Sequence, residues 1–569
     1  MKTEYLKTFD IFRYKIIEKV AKILKLNNLD ELEKIVSKGN ENYADYAIFS
    51  FHLKKFTNEN VEDIIKKILE EFKDSEFKVE LVGNYINFNV KKDELIKYTI
   101  NRILQEKENY GKINIGNQKI VIIEYSSPNI AKPFSIGHLR STVIGDTLRR
   151  IYSNFNYKVV GINYLGDYGT QFGKLIYAYK NLAENNKEER LEKEGIHYLV
   201  ELYVKYHKIE KEKPEIEEFA KNEFKKLEEN DPENLALWKK FTEISLKEFN
   251  KIYELLNVKF DSFESESESA RKLPIVLEEL KKKNLLVESE GALIVDLNKE
   301  NLGVAVILKN DGTSIYLSRD LSTLYQRYIK YNFDKIIYVV GSEQKLHFKQ
   351  LFKIAEELEI KGEKVHVDFG LYHLKEGKMS TREGRVVYME DVIKKVIDSA
   401  MKIIEEKKIV NDGKEKVAEK LAIAAIRFND LSQDRVKDIV FDEEKMLRLD
   451  GDTAIYLNYT LVRAKSILEK LNFPKPNLIE KNNFSEIEIK LIKYLYLYPN
   501  ILLDSLESNK PHILAQYLLK LGKIFNEFYQ EVNVLKSENK EEKISLLYSF
   551  IYVMENSFNI LGLPFVDKM

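Results

Sequence analysis

A chain of 569 residues with 44% hydrophobic content has material for several buried cores, and at about 150 residues per domain it divides into roughly four. The formal net charge of −1 conceals 32% charged residues, so acidic and basic faces can coexist and nucleic-acid binding is not excluded. Cysteine is absent, which excludes disulfides, thiolate metal sites and cysteine nucleophiles.

In chain order, residues 1–105 alternate helical patterns with one strand signal, Tyr85-Ile86-Asn87-Phe88-Asn89-Val90, and predict a small α/β domain. The first ten residues lack a signal-peptide apolar region, and no run approaches the roughly 20 apolar residues of a membrane span, so a cytoplasmic protein is expected. Residues 106–395 read as a second domain. Val121-Ile122-Ile123-Glu124 is short and β-branched, as a strand buried on both faces of a parallel sheet would be. The turn that follows holds Pro128 and Pro133, which forbid a helix through it, and Ile136, Leu139, Val143 and Ile144 then recur at helical spacing. A second apolar run, residues 158–164, leads into Leu165-Gly166-Asp167-Tyr168-Gly169-Thr170-Gln171-Phe172-Gly173. Two strand–helix units in succession predict a doubly wound parallel sheet of Rossmann type, with ligands beyond the carboxyl ends of its strands. Residues from about 180 to 285 are largely helical and highly charged, include the only tryptophan, Trp238, and read as an insertion. Strand signals return at 292–295, 304–308 and 335–340. Amphipathic patterns over 396–569 predict an all-α bundle domain.

The start of the helix after Pro133 collects chemistry. Lys132, Ser135, Gly137, His138 and Arg140 put cationic, hydroxyl and imidazole groups beside the free N–H groups and positive dipole end of a helix, a setting that favours phosphate. An ordinary capped turn would look much the same. Farther along, Glu376-Gly377-Lys378-Met379-Ser380-Thr381-Arg382-Glu383-Gly384-Arg385 combines three cations, two hydroxyls and two glycines, the composition of a loop that closes over polyphosphate. Nucleotidyl transfer asks a protein mainly for positioning and charge neutralisation, and no catalytic acid–base pair stands out.

These two segments are similar to the His-x-Gly-His and Lys-Met-Ser-Lys-Ser signatures of class I aminoacyl-tRNA synthetases. The stretches 124–134, 163–173 and 378–382 narrow the resemblance to arginyl-tRNA synthetases. The resemblance implies a ligase that activates L-arginine with ATP and passes it to the 3′ end of tRNA(Arg), with an N-terminal tRNA-contacting domain, a Rossmann-type catalytic domain and a helical anticodon-binding domain. It implies Ser135, His138, Lys378 and Arg382 as catalytic, and Gly137, His138, Lys378, Met379 and Ser380 around ATP. For arginine it implies Tyr316 and Asp320 on the guanidinium, four residues apart and so on one helical face. Glu266 joins them, with Glu264 and Glu268 as alternatives because Ser265 stands where the family usually has glycine. Carboxylates suit a guanidinium, since bidentate contacts are strong and directional. Glu124, Asn129 and Gln344 are implied at the α-amino end, Ser126 as a further arginine contact, and Lys132 facing the carboxylate. Two departures stand out. Ser135 replaces a histidine usual in the family, which predicts altered affinity for ATP or arginine, and Arg382 replaces the second lysine of the loop signature, a mild change.

Transfer RNA is the implied large partner. Tyr85 and Asn87, with Phe88, are placed against its elbow, and Tyr456, Tyr459, Tyr529 and Met569 on the anticodon face, with core packing as the competing reading for the aromatics. Mg2+ is expected to arrive with ATP; no permanently bound metal or organic cofactor, no membrane and a monomer are expected. The family typically needs bound tRNA even to form the adenylate. Two rivals remain open: a tRNA-binding paralogue without catalysis, suggested by Ser135, and a nucleotidyl transferase acting on another small molecule.

Overall fold

The computed structural model describes residues 5–39, 44–373, 387–407, 413–440, 442–448, 451–480 and 483–569. The N-terminal part carries helix α1 (Ile11–Leu24), strands β1 (Val36–Lys38) and β2 (Tyr46–Phe49), helix α2 (Val61–Glu71), and strands β3 (Phe77–Val82) and β4 (Tyr85–Val90). The strands form an antiparallel sheet in the order β1-β2-β4-β3. Val61, Ile64, Ile65 and Ile68 fall on one face of α2 and are buried with Ile86 and Phe88 of β4. Helix α3 (Lys92–Glu106) leads out of this part. Asp10, at the start of α1, accepts hydrogen bonds from the hydroxyl of Tyr46 and, across the molecule, from that of Tyr496 at 2.8 Å. The N-terminal domain is thereby docked on the C-terminal helices.

The middle of the chain runs β5 (Ile120–Glu124), α4 (Ile136–Asn154), β6 (Lys158–Leu165), α5 (Thr170–Asn181), α6 (Ile196–Glu212), α7 (Ile216–Glu228), α8 (Pro232–Leu255), β7 (Ser262–Ser265) and α9 (Glu266–Lys282). It continues through β8 (Val287–Ser289), β9 (Ala292–Asp296), β10 (Val304–Leu308), α10 (Tyr316–Tyr331), β11 (Lys335–Gly341), α11 (Lys345–Glu357) and β12 (Glu363–Phe369). Five strands make a wholly parallel sheet in the order β12-β11-β5-β6-β7. The chain steps outward from β5 through β6 to β7, then returns to lay β11 and β12 on the other side. The reversal falls between β5 and β11, where Glu124 stands opposite Tyr338. Connections leave the two strand ends in opposite directions there and open a crevice beyond Glu124.

Two details differ from the sequence expectation. Ser262–Ser265 lies inside the segment read as an insertion, yet it pairs in parallel with β6 as the fifth strand. Its Ser-Phe-Glu-Ser string sits at the sheet edge and lacks the apolar run that marks an interior strand. The inserted helices end at Leu255. The signals at 292–295 and 304–308 do not extend the parallel sheet; β8, β9 and β10 form a separate antiparallel sheet, order β10-β9-β8, whose Val295, Ala305 and Ile307 pack with Leu321 and Leu351.

The C-terminal part is helical: α12 (Met389–Lys407), α13 (Lys414–Leu431), α14 (Ala454–Lys470), α15 (Glu486–Tyr496), α16 (Tyr498–Ser508), α17 (His512–Glu531) and α18 (Lys540–Leu561). Among the described residues no helix is long and apolar enough to cross a membrane. Helix α4 is the spine joining this part to the parallel sheet. A Cβ on Gly145 would overlap Tyr125, so only glycine lets α4 lie so close to the end of β5. In its middle, fully buried Asp146 pairs with half-buried Arg149 (2.9 Å) and Arg150 (2.8 Å) and, from α13, with fully buried Arg427 (2.9 Å). Arg140 reaches Asp430 at 3.3 Å and donates to the carbonyls of Gly370 and Lys437, each at 2.7 Å.

Candidate active site

The turn from β5 into α4 holds non-glycine residues in the left-handed region, with φ of 73° at Ser126, 47° at Ser127 and 60° at Ala131. Each such residue costs about 1–3 kcal/mol and persists only where its surroundings over-determine it. They do here. The Ser126 N–H donates to Ser141 Oγ (2.9 Å), and the Ser126 hydroxyl joins those of Thr142 (2.9 Å) and Tyr253 (2.8 Å). Asn163 accepts from the Ser127 N–H at 3.2 Å and donates to Tyr253 at 3.0 Å, while Ser245 accepts from the Ala131 N–H at 3.0 Å. The side chain of Ser126, read from the sequence as a further arginine contact, is buried and engaged in holding the turn. Asn129 bridges to Gly166, where a Cβ would approach the Asn129 amide oxygen to 2.5 Å.

Ser135 occupies the N-cap of α4 in extended conformation, and its N–H donates to Nδ1 of His138 at 3.1 Å. That bond makes Nδ1 the acceptor, so the neutral ring carries its proton on Nε2. Burial, with Lys132 adding to it, lowers the His138 pKa to about 4, so the ring is a neutral donor at pH 7. Gly137 is exposed in the first helical turn, and Lys132 is half-buried beside the imidazole. The arrangement offers N–H groups, a neutral imidazole donor and one cation to an anion at the helix start.

Four carboxylates meet at the crevice: Glu124 at the end of β5, Glu264 on β7, Glu266 opening α9 and Asp320 in the first turns of α10. The charge of Asp320 acts on both Glu124 and Glu266. Their resident cations are fewer: Arg327, Arg319 and, at the rim, Lys330, 3.8 Å from Glu264. Arg327, fully buried, reaches Glu124 at 2.5 Å and Glu264 at 2.8 Å, leaving its second terminal nitrogen without a hydrogen bond among the described residues. Arg319 stands 3.5 Å from Glu266, a loose pair in which its Nε makes no hydrogen bond among the described residues. His347 lies 2.7 Å from Asp320. Burial pushes Glu124 up to about 6 against the pull of Arg327, and Glu266 up to about 7 against that of Arg319. The cluster is short of positive charge, and a cationic ligand would supply it.

Among the three glutamates left open by the sequence, Glu268 pairs with Lys272 at 2.5 Å on the surface and Glu264 is held by Arg327. Glu266 alone of the three is both buried and loosely paired. Asp167 fixes it from behind, accepting from the Ser267 N–H (2.9 Å) and hydroxyl (2.7 Å), and the Asp167 carbonyl takes the Trp238 indole N–H at 2.9 Å. Tyr316 is the first residue of α10, 67% exposed, its ring 4.8 Å from the Arg319 guanidinium. Gln344 is exposed in the turn after β11. Lys378, Met379, Ser380 and Arg382 lie outside the described residues. Arg319, Arg327, His347 and Asp167 were not singled out by sequence. Arg327 follows Asp320 by seven residues, two helical turns on the same face, which is the signal that marks it.

On the outer domains, Tyr85 is 51% exposed at the start of β4 and meets Phe49, beside exposed Phe51. Asn87 is buried in the middle of the same strand, between Ala47 of β2 and Glu80 of β3, which corrects its reading as a base contact. Phe88 is core. Tyr459 and Tyr529 are exposed and sandwich Arg463, whose guanidinium lies 4.3 Å and 5.1 Å from their rings. Tyr456 is half-buried and accepts from Asn526 at 2.8 Å; Met569 packs on the helical core.

Residues 99–443 match the family model of tRNA synthetases class I (R), catalytic domain, and residues 457–569 match that of the DALR anticodon binding domain. A parallel sheet with a phosphate-ready helix start at its switch point, followed by this helical domain, defines a class I aminoacyl-tRNA synthetase. The arginine–tRNA ligase of Clostridium acetobutylicum is 40% identical over 564 residues, covering 97% of this chain and 99% of its own. The crystal structure of arginyl-tRNA synthetase from Plasmodium falciparum has a TM-score of 0.78 at 26% identity, covering 97% and 99%. That of Thermus thermophilus has the same fold, with a TM-score of 0.78 at 24% identity over 98% and 100% of the two chains. The chain belongs to the arginyl-tRNA synthetase family.

Proposed function

We propose that the protein is an arginine–tRNA ligase, an enzyme that forms arginyl-adenylate from L-arginine and ATP and transfers the arginyl group to the 3′ end of tRNA(Arg). The observation that carries this reading is the convergence of Glu124, Glu266 and Asp320 at the crevice, with Glu266 only loosely paired to Arg319 at 3.5 Å. Glu266, Asp320 and Tyr316 receive the guanidinium; Glu124, Asn129 and Gln344 hold the α-amino end, and Lys132 faces the carboxylate. Gly137, His138 and the N-cap at Ser135 take the phosphates; Lys378, Met379, Ser380 and Arg382, outside the described residues, are assigned to ATP by the family resemblance. An arginine carboxylate oxygen attacks the α-phosphorus, the bond to pyrophosphate breaks, and pyrophosphate leaves with its charge neutralised. A terminal ribose hydroxyl of the tRNA then attacks the activated carbonyl and AMP departs. Magnesium enters with ATP as part of that substrate; among the described residues no group of three or more His, Asp or Glu could hold a metal.

The tRNA is read at both ends of the molecule. Tyr85, with Phe51, supports a stacking contact in the N-terminal domain, and the Tyr459–Arg463–Tyr529 sandwich supports an anticodon contact. We take the enzyme to act as a cytoplasmic monomer that needs tRNA to form the adenylate. Pyrophosphate exchange, scanned over the amino acids with and without tRNA, tests the whole reading. Exchange dependent on arginine and on tRNA is expected; exchange driven by another amino acid would overturn the substrate, and brisk exchange without tRNA would overturn the tRNA requirement.

A further inference from the structure

We infer that His347 is a positioning residue for the substrate guanidinium: it clamps one oxygen of Asp320 by a hydrogen bond and leaves the other oxygen for arginine. The inference rests on the pocket proposed above. Nε2 of His347, in the first turn of α11, lies 2.7 Å from Oδ2 of Asp320 on α10, so two separate elements are pinned together at the carboxylate. Among the described residues no hydrogen bond reaches Oδ1.

The choice of residue matters because of what surrounds it. Each of the other crevice carboxylates has a permanent cation beside it: Arg327 at Glu124 and Glu264, Arg319 at Glu266. Asp320 alone among the four has a histidine, which donates a proton while carrying no obligate charge. The terminal torsion of an aspartate is broad and roughly twofold, so a free carboxylate facing like charges would rotate away from them. Glu124, Glu266, Tyr164 and Tyr338 all face Asp320. On the other side, among the described residues, His347 meets the edge of Phe348, at 5.2 Å between centroids. A histidine can donate without a permanent charge and so hold the carboxylate in place; a clamp from an arginine or lysine would supply internally the charge the substrate must bring.

The test is a charge-ordered series at one position, H347Q, H347A and H347R, with D320N as reference. Arginine and ATP KM, kcat, and thermal melting are measured for each. H347A should raise the arginine KM about tenfold, the scale of one charge-assisted hydrogen bond, with the ATP KM unmoved. H347Q should recover most of that loss, and H347R should be worse than H347A, because it competes with the substrate. Equal arginine KM values for H347Q and H347A would overturn the inference, and so would an H347R value no higher than that of H347A; should H347R fail to fold, the first pair still decides. If D320N leaves the arginine KM unchanged, the pocket reading itself falls; if D320N raises it while the His347 series stays flat, only the present inference falls.

Discussion

Two buried acid–arginine clusters sit in the same catalytic domain and behave oppositely. At the joint between α4 and the helical domain, burial pushes Asp146 up, but Arg427, Arg150 and Arg149 together hold it below the usual carboxylate range. At the crevice, burial wins: Glu124 rises to about 6 and Glu266 to about 7 because each has one arginine and acidic neighbours. The first cluster is complete in the folded chain and serves architecture. The second has fewer cations than carboxylates, which suits the guanidinium proposed to bind there.

Breaking the joint should give the largest effect. Asp146→Asn leaves three arginines around a neutral amide and is expected to cost about 3–5 kcal/mol of stability in urea unfolding, as for removal of one partner from a buried pair. A loss under 1 kcal/mol would erase the distinction between the clusters. Asp320→Ala should lose a similar amount, about 3–5 kcal/mol, but in kcat/KM for arginine, with only about 1 kcal/mol of stability lost with the His347 contact. Unchanged arginine dependence would place the pocket elsewhere.

Glu266→Gln sharpens the contrast from the other side. Since burial raises Glu266 to about 7, the amide should cost less than about 1.5 kcal/mol of stability, well below the loss at a complete buried pair, while raising the arginine KM. Strong destabilisation would show that Arg319 and Glu266 form a complete structural pair after all.

The pH dependence differs in sign. A carboxyl raised above its unfolded value of about 4.3 contributes stability fully present below that value and lost as pH rises through the folded pKa. For Glu124 and Glu266 that loss in the empty protein runs through about 6 to about 7. Arginine binding should release protons across that window, and its affinity should weaken as pH falls through it. Calorimetry in two buffers of different ionisation heat measures the release; none at pH about 6.5 would contradict the charge deficit. Asp146 works the other way, with stability present above its unfolded value and lost as pH falls through its depressed folded one.

Ser135→His should matter least. The proton on His138 is set by the main-chain N–H of residue 135, which the substitution keeps, so kcat/KM for ATP should change by less than about 1 kcal/mol, the scale of one capping contact. A larger gain in ATP use would mean that the serine hydroxyl is a poor substitute.

Much of this was legible in the chain. The strand at Val121–Ile123, the proline-bounded turn and the helix from Ile136 follow from local pattern, and the structure has them. Asp320 and Glu266 were singled out through the family resemblance, and the structure brings them to one crevice. The insertion boundary and Asn87 were misread because β7 is a short polar edge strand and because burial of one polar side chain depends on its neighbouring strands.

The sequence by itself determined the elements whose causes lie within a few residues: β-branched runs, prolines, caps and apolar periodicity. Only the tertiary structure decided which charges meet. Arg327 joins Glu124 across 203 positions of chain and Glu264 across 63, and His347 finds Asp320 from another helix. Such partnerships are set by how α10 and α11 pack against the strand ends, and burial there decides whether a carboxylate is satisfied or left waiting for its ligand.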